Sequence, residues 1–198
     1  HKNIFSIYYC FSIIFIYLLS LNNNNFFEMK IFGPKSLSTV TFYLFRMISF
    51  LILLFVLYID YAFLTDNFTH SNGRYKMEIP ITGTFINGDY QLNVIFTISI
   101  GLLFSAFFFY VLSNIFQALK EVTIFNKKII YNLKLFTILN LIIGPILYFL
   151  IHFPIMNKTD FRDIHNLILH LIFGMIALFL THIFQKGYTV QSENDLTI

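Results

Sequence analysis

Residues 42–64 read FYLFRMISFLILLFVLYIDYAFL, an apolar run whose only charges are Arg46 near one end and Asp60 near the other. As a helix this stretch is about 35 Å long, enough to cross the roughly 30 Å hydrocarbon layer of a bilayer. A helix lying on a water-soluble core needs a polar face, and this one has none. Comparable runs follow at 94–119, 129–155 and 167–184, the last being the shortest. None alternates apolar and polar residues over about ten positions, as a barrel strand does. The expected fold is an all-α membrane protein with four transmembrane helices in an antiparallel bundle.

The whole chain agrees. Hydrophobic residues make up 57% of the 198 and charged residues 12%, about half the roughly 25% usual in soluble domains. A net charge of +3 is too small and dispersed for a nucleic-acid footprint, so direct nucleic acid binding is not expected. The single cysteine, Cys10, permits neither an internal disulfide nor a redox pair, which excludes four-helix thiol oxidases.

Residues 1–28 differ from the rest. They begin with His1 and run into the tract Asn22 to Asn25, and the first methionine is Met29. We expect translation to start at Met29 and residues 1–28 to be upstream sequence; the competing reading is a fifth span over 4–21. The domain plan is then a membrane domain at 29–187 and a cytoplasmic tail at 188–198.

Orientation follows the basic residues. Lys30, Lys35, Arg46, Lys120, Lys127, Lys128, Lys134 and Lys186 lie toward one side of the spans, and Arg74, Lys76, Lys158 and Arg162 toward the other. Both termini are expected in the cytoplasm. The 65–93 connection, with alternating Tyr75–Ile79 and the turn-forming Asn87-Gly88-Asp89, predicts a small extracytoplasmic β-hairpin over the mouth of the bundle. Gly144-Pro145 predicts a kink in the third helix, and Gly187 a cap ending the fourth. Gly101 and Ser105 are spaced for close helix packing.

Ionisable side chains within spans are the first functional suspects. Asp60, His152 and His170 fall at one level near the outer boundary, and such a set is able to bind a divalent metal or relay protons. The bland reading is that each reaches the headgroups from the interface. His165 stands about 140° around the helix from His170 and shares no face with it. Asn140 is expected to hydrogen-bond across the bundle. No glutamate lies in a span, unlike the small proton-driven multidrug exporters of similar size. With no phosphate loop, nucleophile elbow or metalloprotease helix, neither an enzyme nor a cofactor is expected.

Three places carry a resemblance: the connection Glu121-Val122-Thr123-Ile124-Phe125-Asn126, the His-containing fourth span, and the ending Phe184-Gln185-Lys186-Gly187-Tyr188 with Glu193-Asn194-Asp195-Leu196-Thr197-Ile198. From Met29 onward the chain resembles a bacterial family of four-helix membrane proteins known only as a domain of unknown function. Ser192 stands where that family more often has an acidic residue. The resemblance implies a bacterial inner-membrane location. It also implies, by analogy, a regulatory role beside a small helix-turn-helix repressor that is often encoded next to family members. It assigns no catalytic residue.

Two classes of function remain. One is a membrane-anchored regulatory or interaction protein, whose inner loop (Phe125, Asn126) and tail (Glu193, Asp195, Leu196, Thr197, Ile198) meet a cytoplasmic partner. The other is a small channel, carrier or metal site formed by homo-oligomerisation, with Asp60, His152 and His170 lining it.

Overall fold

The computed structural model describes residues 30–79, 83–160 and 164–195. The expectations for residues 1–28, for Met29 and for Leu196, Thr197 and Ile198 lie outside these residues. Four helices are long and apolar enough to cross a membrane: α1 (Leu37–Leu64), α2 (Leu92–Leu119), α3 (Lys127–Ile155) and α4 (Ile164–Asp195). Their length follows from uninterrupted apolar sequence. At 28 residues, α1 and α2 each measure about 42 Å and exceed a bilayer's hydrocarbon thickness.

Their packing partners follow chain order. α1 lies along α2, α2 meets α3, and α3 packs on α4; among the described residues α1 and α4 share no substantial backbone interface. Lipid gives helices no hydrophobic reason to associate, so shape and interhelical hydrogen bonds must do so. Such bonds occur at each junction. Arg46 donates to Asn114 Oδ1 at 2.5 Å, Ser49 Oγ to the Ala106 carbonyl at 2.7 Å, and Ser99 Oγ to Asp60 at 2.6 Å. Asn132 donates to the Asn114 carbonyl at 3.2 Å and Asn93 to the Ile155 carbonyl at 3.3 Å. The best-packed core lies toward the lysine-rich end, where Val111, Ile115 and Ala118 of α2 meet Ile129, Leu133, Phe136 and Leu139 of α3 and Ala177 of α4.

α3 begins with a sequence-encoded cap: Asn126 Oδ1 accepts from the Ile129 amide at 2.9 Å, satisfying an otherwise orphan donor. The helix then alternates between regular turns (Lys127–Ile138, Gly144–Leu150) and wider π turns (Leu139–Ile143, Ile151–Ile155). Gly144-Pro145 follows the first wide turn directly, and Pro154 lies inside the second. The missing proline N–H thus falls where the register widens and the ordinary ladder is already interrupted.

The α1–α2 connection corrects the expected hairpin. It forms a three-stranded antiparallel sheet, β1 (Thr69–Ser71), β2 (Arg74–Glu78) and β3 (Phe85–Asp89), in that order. The tight turn is Asn72-Gly73, with φ of 52° and 74°, the positive pair a two-residue hairpin demands. Asn87-Gly88-Asp89 lies instead within β3. Gly88 is opposite Tyr75, and a Cβ there would stand 2.7 Å from the Tyr75 ring. Glycine is present to admit that ring, not to turn the chain. Tyr75 and Met77 alternate inward, 4% and 1% exposed, and pack with Ala62, Tyr58 and Phe63 on the last turns of α1. Tyr58 also donates to the Glu78 carbonyl. Burial raises the Tyr75 phenol pKa above its ordinary value near 10.

Three further expectations change. Gly187 does not end α4, which continues to Asp195; a Cβ at 187 would lie 2.5 Å from the Phe125 ring, so the glycine marks a close approach. The residues read as a separate tail are, as far as Asp195, the last turns of the same helix. Gly101 and Ser105 face open space: nothing lies within 4 Å of a Cβ at Gly101, and both residues line a cavity.

Candidate functional site

Toward the sheet end, α2, α3 and α4 diverge around a cavity of about 650 Å³. Three short stripes build it, each spaced four residues apart so that its members share one helix face: Thr97, Gly101 and Ser105 on α2, Gly144, Tyr148 and His152 on α3, and Asn166 and His170 on α4. Small residues on α2 and α3 leave the volume, and the aromatic and imidazole groups furnish its chemistry.

His170 is held by Asn140, which is fully buried. The Asn140 amide donates to the Phe136 carbonyl at 2.8 Å, and its Oδ1 faces His170 Nδ1 at 2.8 Å. The Asn140 oxygen accepts, so Nδ1 carries a hydrogen and donates it. Phe104 meets the imidazole edge-on at 5.0 Å. His152, 4% exposed, stacks on Tyr148 at 5.2 Å and 17°, and its Nε2–H donates to the Asp160 carbonyl. Among the described residues the buried Tyr148 hydroxyl has no hydrogen-bond partner, and no charge in the sequence marks its position.

The three residues expected at one level are thus divided. His152 and His170 border one cavity, whereas Asp60 is turned to Ser99 between α1 and α2. His152 directs an N–H rather than a lone pair along its bond to Asp160. Among the described residues no three His, Cys, Asp or Glu side chains converge as a metal site would require. His165 is exposed on the first turn of α4.

At the opposite, lysine-rich end, the residues singled out in the α2–α3 connection and the tail come together. Phe125 packs on Phe184 at 5.4 Å and against Gly187, and Lys127 lies over Tyr188 at 5.9 Å. Phe125, Ile183, Gly187 and Val190 form the apolar floor of an open groove, with Lys186, Gln191, Asn194 and Asp195 on its rim. Asn126 instead serves the chain itself, since its amide also donates to the Thr123 carbonyl at 2.8 Å. Glu193 is exposed on the last turn.

Four apolar helices long enough to cross a membrane, with a small sheet between the first two, mark a multi-pass membrane protein. The family described as Protein of unknown function (DUF2975) matches residues 78–198, more than half of the chain, and the chain belongs to that family. The match takes in all three places that carried the resemblance and begins in β2 rather than at Met29. No curated protein and no solved structure matches the chain.

Proposed function

We propose that the protein is a membrane-anchored interaction protein whose lysine-rich end docks a cytoplasmic regulator. The observation carrying this reading is the seating of Phe125 on Gly187. It joins two segments far apart in sequence around one exposed groove, with Val190 50% exposed at its floor. Such a groove suits an apolar anchor residue from a partner helix, with polar flanks meeting Lys186 and Asp195. The partner proposed is a small helix-turn-helix regulator encoded nearby. The role is not enzymatic and requires no resident cofactor. Co-expression of the full chain with that regulator is expected to yield a complex that Val190→Glu and removal of residues 193–198 each abolish. A complex indifferent to both changes overturns the reading.

The topology belongs to the same proposal: an antiparallel row in the bacterial inner membrane, lysine-rich end and both termini inside when translation starts at Met29, and sheet outside. Its support is the sense of the contacts. As positions advance along α1 from 46 to 60, their partners on α2 retreat from 114 to 99. Likewise Phe125 meets Phe184 while Asn140 meets His170.

A second reading, a small oligomeric carrier, channel or metal-binding protein, draws on the two imidazoles that border one cavity. Under it, His152→Ala with His170→Ala abolishes metal retention or flux, and an unaltered double variant removes the idea.

A further inference from the structure

Two cations at the lysine-rich end stand on one aromatic ring, and among the described residues no acid pairs with either. The Arg46 guanidinium carbon lies 5.3 Å from the centre of the Phe42 ring and 4.2 Å from that of Tyr110, and Lys120 Nζ lies 4.6 Å from Phe42 and 4.9 Å from Tyr43. Sharing the Phe42 ring holds the two charges within about 10 Å of each other, a separation at which like charges repel. Ring faces are attractive seats for cations but do not neutralise them. Arg46 donates to a neutral amide, Asn114 Oδ1, at 2.5 Å. The ion pairs among the described residues, Arg74–Asp89 and Lys128–Glu121, involve neither cation.

Their depth makes this unusual. Arg46 begins about 14 Å along α1 from its first residue, Leu37, within the apolar run. Its long side chain then reaches back toward the end of α2, as interfacial arginines do. Lys120 follows the last residue of α2, where the helix dipole favours a cation. The 30–36 segment closes over this corner: the Gly33 amide donates to the Leu119 carbonyl at 3.0 Å, and Lys30 and Lys35 belong to that segment. A charge at this level of a membrane calls for a counter-charge. Where the described residues provide none, the bilayer offers phosphate.

We propose that Arg46 and Lys120, both seated against the Phe42 ring, clasp the phosphate of an anionic phospholipid, with the exposed Tyr43 and Leu44 against its acyl chains. The cations supply charge-assisted hydrogen bonds to the phosphate oxygens, and the ring fixes their spacing. Nothing in this proposal depends on the groove at Phe125.

The test uses the full chain in nanodiscs containing phosphatidylcholine alone or with phosphatidylglycerol, followed by mild-detergent extraction and native mass spectrometry of retained lipid. Retention of phosphatidylglycerol over phosphatidylcholine is expected. Arg46→Gln and Lys120→Gln should each weaken it about fivefold, and the pair roughly thirtyfold. The double variant Lys127→Gln with Lys128→Gln removes the same charge elsewhere and should change it little. Arg46→Lys with Lys120→Arg should restore binding, which separates loss of the site from loss of the fold. Inorganic phosphate should not displace the lipid; displacement would make this a free-anion site and overturn the lipid assignment. Equal weakening by the Lys127/Lys128 variant, or absence of any headgroup preference, overturns the clasp.

Discussion

Gly187 and Gly101 are both helical glycines in the apolar half of the sequence, and they have opposite reasons to exist. At Gly187 an added methyl group meets the Phe125 ring at 2.5 Å. The overpacking cost of about 1–3 kcal/mol exceeds the roughly 1 kcal/mol that alanine gains over glycine within a helix. At Gly101 nothing lies within 4 Å, so only the gain remains. Gly187→Ala should therefore lower the thermal unfolding temperature in detergent and Gly101→Ala should leave it equal or raise it; the reverse order would contradict the packing described. Sequence alone could not separate the two, because what distinguishes them is a ring contributed from 62 positions away. The cavity residues are legible in the sequence through their spacing. Thr97, Gly101 and Ser105, and Gly144, Tyr148 and His152, each repeat every four residues, a spacing that marks one helix face. Asp60 shares the level of His152 and His170, but level along a span does not say which junction a side chain faces.

At the scale of elements, the four spans were fixed by apolar length, and their ends moved only where local chemistry intervened. α4 outran its expected end because a helix interior tolerates one glycine at about 1 kcal/mol. The sheet was harder to foresee. Its turn at Asn72-Gly73 and its glycine at position 88 carry the same residue types, and only the facing Tyr75 distinguishes a turn from a strand. That tyrosine gives the sheet a pH limit. Its pKa is raised in the folded state, so folding favours the neutral phenol. The contribution is complete below the unfolded value near 10 and is lost as pH rises through the folded value. Thermal stability followed from about pH 8 to pH 11 should fall at the alkaline end, and Tyr75→Phe should flatten that fall. An identical decline in the variant would assign the effect elsewhere. The π turns of α3 have Gly144-Pro145 and Pro154 as their trace in sequence.

For the whole molecule, hydropathy predicts four helices but not which ones touch. The order of packing comes from a few polar side chains, Ser49, Ser99, Asn132 and Asn140, whose partners lie on other helices. In a Cys10→Ser background, Ser49→Cys with Ala106→Cys should form a disulfide readily, as Ser49 Oγ lies 2.7 Å from the Ala106 carbonyl. Phe50→Cys with Ile176→Cys, on the exposed faces of α1 and α4, should form none within one chain. Efficient intramolecular bridging of the second pair would mean that the row closes on itself.

α4 runs for 32 residues without a break, a stiff rod about 48 Å long. One part of it borders the cavity at His170, and its far tip carries the rim of the Phe125 groove. Rocking such a rod by about ten degrees about one end sweeps the other through roughly 8 Å, farther than the width of an aromatic ring. The side chains around His170 and the rim of the Phe125 groove are thus carried by one continuous element, which the glycine at 187 does not interrupt.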